Sequence, residues 1–152
     1  MKNHLGTAVL LGLGMLLASC GEQPSKPYLK IVGGGFIFNY RYATMNYGFV
    51  AKQLKPLPEG SILEASFDLP DSETNYLVKK PATPGKFQYS FESEPLHGVK
   101  KNTPYKVTLR LIEAATGKEL AMLEKSFTSD VDQEGLPTKA PVTGIGYQLA
   151  PE

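Results

Sequence analysis

From Tyr28 onward, apolar and polar residues alternate in short runs divided by Gly, Pro, Asn and Asp. Alternation with a period of two puts one set of side chains on a buried face and predicts strands. Phe36, Phe38, Tyr40 and Tyr42 alternate with Ile37, Asn39 and Arg41. Tyr47, Phe49 and Ala51 continue the pattern after Thr44-Met45-Asn46. Leu63, Ala65, Phe67 and Leu69 share a face, as do Phe87, Tyr89 and Phe91, and then Tyr105, Val107, Leu109 and Leu111. Thr116-Gly117 marks a turn, and a last strand is predicted from Glu119 to Thr128. Leu120, Met122, Leu123 and Phe127 do not share one parity, which predicts a bulge there. A helix competes over Leu109–Lys125, because Leu120–Lys125 holds good helix formers. The Thr116-Gly117 break and the strict alternation before it favour a hairpin.

Half-buried strands with regularly spaced turns predict an all-β fold, an antiparallel β-sandwich. The segment Leu96-His97-Gly98-Val99-Lys100-Lys101-Asn102-Thr103-Pro104-Tyr105 resembles the corner before the penultimate strand of fibronectin type III and other immunoglobulin-like domains. The resemblance implies an immunoglobulin-like sandwich of about seven strands over residues 28–130. It also implies that Tyr105 starts a strand and that its hydroxyl bonds the backbone upstream. The chain departs from the pattern in having no Trp and no cysteine pair, and a small β-barrel is the alternative. Gly33-Gly34-Gly35 lies between strand patterns, so it predicts a tight turn or close strand approach rather than a phosphate cradle.

The start of the chain follows a different pattern. A short segment with Lys2 precedes an uncharged apolar run, Leu5–Leu17, and Leu17-Ala18-Ser19-Cys20 follows. A charged start, an apolar stretch and a small-residue end mark a secretory signal. The run is shorter than the roughly 20 residues a membrane span needs. Leu17-Ala18-Ser19-Cys20 resembles the lipobox of bacterial lipoproteins. That resemblance implies a helical signal peptide over 1–19, cleavage between Ser19 and Cys20, and acylation of Cys20. Two or three acyl chains anchor firmly, whereas one is marginal. Residues 20–27 read as a flexible tether. Gly21 follows Cys20. In the enterobacterial pattern an aspartate there favours inner-membrane retention, so the expected location is the periplasmic side of the envelope, with the outer membrane favoured.

Composition narrows the chemistry. Cys20 is the sole cysteine among 152 residues, so no internal disulfide forms. Loss of residues 1–19 removes Lys2 and no acid, leaving balanced charge. The sequence shows no polybasic patch of the kind that binds nucleic acid or anionic lipid, so charge points to no particular partner. His97 is the one histidine beyond the signal, which leaves no multi-histidine metal site. No cofactor motif and no nucleophile elbow occurs. Glu92 and Glu94 are the pair a carboxylate hydrolase would use, although a solvated loop is their ordinary explanation. Asp130, Asp132 and Glu134, before Gly135, imitate the start of a calcium loop; Pro141 stands where that loop needs its glutamate.

Aromatic residues offer the best recognition candidate. Tyr40, Tyr42 and Tyr47 either line the core or form a binding platform for a sugar or a partner side chain. Residues 131–152 read as a Pro- and Gly-rich tail, with a short strand over Ile145–Leu149. The sequence therefore predicts a lipid-anchored, non-enzymatic interaction or assembly component of the bacterial envelope, with the membrane and an envelope protein as partners. The alternatives are a glycan-binding lipoprotein and a small envelope hydrolase.

Overall fold

The computed structural model describes residues 25–151. The predicted signal peptide, the predicted Ser19–Cys20 cleavage and the first residues of the predicted tether lie outside the described residues. Ser25–Pro27 is exposed and irregular, and the first strand starts at Leu29.

Seven strands form two antiparallel sheets. They are β1 (Leu29–Asn39), β2 (Thr44–Gln53), β3 (Ser61–Asp68), β4 (Asn75–Pro81), β5 (Gln88–Glu92), β6 (Tyr105–Glu113) and β7 (Glu119–Phe127). One sheet has the order β1-β2-β5 and the other β4-β3-β6-β7. Hairpins join β1 to β2, β3 to β4, and β6 to β7. The chain changes sheet after β2, after β4 and after β5. The expected all-β antiparallel sandwich is the observed fold.

The core is the predicted face of each strand. Tyr47, Phe49 and Ala51 of β2, with Tyr89 and Phe91 of β5, meet Leu63, Ala65 and Phe67 of β3 and Val107, Leu109 and Leu111 of β6. The Tyr47 ring stacks on Phe36 at 4.9 Å and meets Phe67 edge-on at 5.2 Å. Such pairs add to the stabilisation from area burial, because ring edges and faces carry opposite partial charge. The Tyr47 hydroxyl donates to the Asp68 carbonyl (2.7 Å) and lies 3.2 Å from the Lys106 carbonyl. Lys100 N–H donates to the Tyr105 hydroxyl at 2.9 Å, the upstream backbone bond that the corner resemblance implies.

Residues 109–125 form a hairpin, not a helix. The β7 bulge sits where side-chain parity fails: Leu111 pairs with Ala121 and Ile112 with Glu119, so Leu120 is the extra residue. A second bulge places Val32 between Ile31 and Gly33 of β1. Gly33-Gly34-Gly35 runs through β1 rather than around a turn, and its close approach is at Gly34. A side chain there would strike the Gly48 carbonyl oxygen and the Phe127 ring, because β1 lies beside β7 at the open edge between the sheets.

Three expectations change. Tyr40 and Tyr42 do not continue the β1 face, because β1 ends at Asn39 and both lie in the turn before Thr44. Phe87 is 66% exposed, since β5 begins one residue later. β4 is a strand that alternation alone left unmarked. It is an edge strand with half-buried Tyr76 and Val78, an exposed Leu77, and a Lys79-Lys80-Pro81 end of the kind that discourages further strand pairing.

The Asp130 boundary falls inside a bonded segment. Gln133 N–H donates to the Val99 carbonyl (2.9 Å), and the Gln133 side chain bonds Val99 N–H and the Leu96 carbonyl. Leu136 packs against the core. A small hairpin of β8 (Val142–Thr143) and β9 (Gln148–Leu149) follows.

Candidate functional site

The sandwich has two distinct ends. β1 carries the chain away from Leu29 through eleven residues, about 35 Å at 3.3 Å per residue. The turn Tyr40–Ala43 therefore lies at the end remote from Leu29. The 128–136 segment and the β8–β9 hairpin lie at that same far end, beside β1 and its turn.

Asn39 builds the turn. Its side-chain oxygen accepts the Arg41 N–H at 3.0 Å, and its carbonyl accepts the Tyr42 N–H at 3.2 Å. An asparagine satisfying backbone two residues on is a common turn device. Tyr40 and Tyr42 project outward, 55% and 68% exposed. Arg41 is half-buried. Its guanidinium donates to the Gly144 carbonyl at 2.6 Å and lies 4.8 Å from the centre of the Tyr147 ring. Arg41 thus fastens the β8–β9 hairpin to the turn. Ile37, Phe38, Asn39, Tyr40, Val142 and Tyr147 line a cleft of about 400 Å³ between them. Ile145 is 99% exposed and Tyr147 63% exposed on the hairpin.

The structure divides the predicted platform. Tyr40 and Tyr42 are open to a partner, while Tyr47 is fully buried and cannot take part. It sits on the inward parity of β2, so its ring is core and its hydroxyl is used by backbone carbonyls. Burial, followed by the nearby Asp68 charge, raises the Tyr47 phenol above its ordinary pKa. Sequence reasoning missed Ile145 and Tyr147 as members of the surface. Gly144-Ile145-Gly146 was the available signal, since Gly144 takes φ +71° at the hairpin turn.

The acidic stretch after β7 has other occupations. Asp132 accepts the Lys101 N–H at 2.8 Å, and Glu134 pairs with Lys100 at 2.9 Å. Glu134 raises the Lys100 ammonium above its ordinary pKa. Among the described residues, no three His, Cys, Asp or Glu side chains gather where a metal ion could be held, so Asp130, Asp132 and Glu134 form no calcium cage. Glu92 and Glu94 are both exposed; Glu92 borders a shallow groove of about 520 Å³ on the three-stranded sheet, and Glu94 does not. His97 is exposed in the crossover between the sheets. Among the described residues, no helix is long and apolar enough to cross a membrane.

No family model matches the chain, and none of the curated proteins matches it significantly.

Proposed function

We propose that this chain is a lipid-anchored, non-enzymatic interaction or assembly component of the bacterial envelope, tethered through Cys20 and facing the periplasm, with the outer membrane favoured. Its sandwich is of the immunoglobulin-like type, and the partner is an envelope protein that docks on the far end.

The observation that carries this reading is the exposed aromatic tip. Tyr40, Tyr42, Ile145 and Tyr147 stay in solvent at the end remote from the tether. Neighbouring exposed apolar groups mark interaction sites more often than isolated ones. Tyrosine and arginine are enriched at interface centres, because a large stiff ring contributes area at little entropic cost. A glycan is the second reading, favoured by the cleft between Tyr40 and Tyr147, which offers aromatic rings to a sugar.

Two experiments test it. Replacement of Cys20 by alanine should abolish acyl labelling and membrane retention; a variant that still matures and stays in the membrane fraction overturns the anchor. Photocrosslinkers placed at Tyr42 and at Gly117 in the lipidated protein then test the tip. A defined envelope protein should crosslink from position 42, not from 117, and be lost on Tyr40→Ser with Tyr147→Ser. Equal yields from both positions, or none, overturn the tip as the interface. Glycan-array binding abolished by the same pair of substitutions selects the sugar reading instead.

A further inference from the structure

The fold assembles a basic surface that the linear sequence does not show. Lys30 of β1 and Lys52 of β2 are direct cross-strand partners, and Gln88 of β5 is the next partner across the sheet. Alternation puts Lys30 and Lys52 on the outer face, and both are exposed. Like charges directly opposite on a sheet repel and are destabilising. Lys55 follows β2 and rests 3.9 Å from the Tyr28 ring centre. Lys86 closes the Thr83–Lys86 turn, its N–H donating to the Thr83 carbonyl at 3.1 Å.

All four lysines lie at the tether end of the three-stranded sheet. None belongs to an ion pair among the described residues; those pairs lie on the four-stranded sheet and at the far end. Glu59 is the acid of the neighbouring loop. Phe87 stands at the same end on the parity of Tyr89 and Phe91, 66% exposed, with its carbonyl fixed by Gln53 N–H at 2.8 Å. The far end is mixed in sign, with exposed Asp71, Glu73, Glu92, Glu94 and Asp130 beside exposed Lys100, Lys101 and Lys139.

We infer that the tether end, through Lys30, Lys52, Lys55 and Lys86 with Phe87 at its rim, docks on the headgroups of an anionic phospholipid bilayer. The inference rests on the anchor reading, which puts this end next to a membrane. Residues 20–28 span at most about 30 Å when extended, so the basic corner stays within reach of the surface that holds the lipid. Each lysine near an anionic surface contributes about 1 kcal/mol, or roughly fivefold in binding. An exposed aromatic ring beside basic side chains suits the headgroup boundary. Docking by this end directs the tyrosine-bearing end away from the membrane.

The test uses the lipidated protein reconstituted into vesicles of phosphatidylcholine, with or without phosphatidylglycerol. A fluorophore is placed at Gln88→Cys in one sample and at Tyr42→Cys in another, with a quencher in the headgroups. Quenching at position 88 should rise several-fold in the anionic vesicles and fall with added salt, while position 42 stays unquenched. Lys30→Gln with Lys52→Gln and Lys86→Gln should remove the rise. Failure of the anchor reading is seen separately, as a chain that carries no acyl label and does not stay with the vesicles. The unlipidated chain is then tested by co-sedimentation, where anionic vesicles should bind it and each lysine removed should cost about fivefold. Equal quenching at position 88 in both vesicle types, quenching at position 42 instead, or lysine-independent co-sedimentation overturns the proposal.

Discussion

The β1–β2 hairpin contains two regions built from the same residue types and put to opposite uses. In its body, Phe36, Tyr47 and Phe49 pack into the core, and Gly34 makes room for the Phe127 ring. At its tip, Tyr40 and Tyr42 stand in solvent. The difference is not hydrophobicity but position relative to the last ladder pair, Asn39↔Thr44. Inside the ladder, parity decides which way a ring points. Beyond it, the turn bonds of Asn39 decide. A tyrosine is therefore core or surface according to where the hairpin stops.

The sharpest way to break this comparison is to truncate the body. Tyr47→Ala removes a fully buried ring that contacts Phe36 and Phe67 and bonds two carbonyl regions. Large aromatic truncations in a core cost about 3–5 kcal/mol. Chemical denaturation should show a loss in that range. A loss below about 1 kcal/mol, the scale of surface substitutions, would place Tyr47 outside the core.

The next effect separates three consecutive glycines. An added methyl at Gly34 meets the Gly48 carbonyl oxygen and lies 2.5 Å from Phe127 Cζ, whereas at Gly33 and Gly35 it meets nothing within 4 Å. Overpacking of this kind costs about 1–3 kcal/mol. Gly34→Ala should therefore lower the denaturation midpoint. Gly33→Ala and Gly35→Ala should be neutral or raise stability by about 0.4–1 kcal/mol, because they restrict the unfolded chain. Equal losses at all three positions would remove the close approach of β1 and β7 as the cause.

Much of this body was legible from alternation alone. The inward sets of β2, β3 and β6 appear in the sequence as strict period-two rows, and parity failure predicted a bulge in β7, which the pairing places at Leu120. Tyr105 carried its corner in the local sequence. The tip was less legible, because Tyr40 and Tyr42 keep the parity of Phe36 and Phe38 after the ladder has ended. Only the hydrogen bonds of Asn39 show where β1 stops. The basic corner was illegible for a different reason: Lys30, Lys52, Lys55 and Lys86 come from separate segments that strand pairing brings together. Gln133 was likewise silent, since its bonds to Leu96 and Val99 depend on how the chain after β7 returns to the crossover.

Alkaline titration sharpens the contrast between the buried tyrosine and the exposed ones. Burial and the Asp68 charge hold the Tyr47 phenol protonated above the ordinary tyrosine pKa of about 10. A folded pKa raised above the unfolded one gives stability that is complete below the unfolded value. That stability is lost as pH rises through the window up to the folded value. One proton of difference corresponds to about 1.4 kcal/mol per pH unit at most. Melting temperature should fall above about pH 10, and fall less steeply in Tyr47→Phe. Identical slopes would show that Tyr47 ionises as freely as an exposed phenol.

The smallest global effect belongs to Arg41, which joins the tip to the β8–β9 hairpin through Gly144 and Tyr147. Both contacts lie beyond the ladder, and neither touches the packed interior of the sandwich. Exposed side chains of this kind contribute within about 0.5 kcal/mol to global unfolding. Arg41→Ala should leave the denaturation midpoint nearly unchanged. Locally it should release the hairpin, because the Gly144 hydrogen bond and the Tyr147 ring contact fasten it to the turn. Hydrogen exchange should then speed at Ala150, whose N–H donates to the Pro141 carbonyl at 2.9 Å, while Tyr47 and Leu109 amides keep their protection. Loss of protection in β2 and β6 as well would mean that tip and body unfold as one unit, and the division drawn from the two sets of tyrosines would fail.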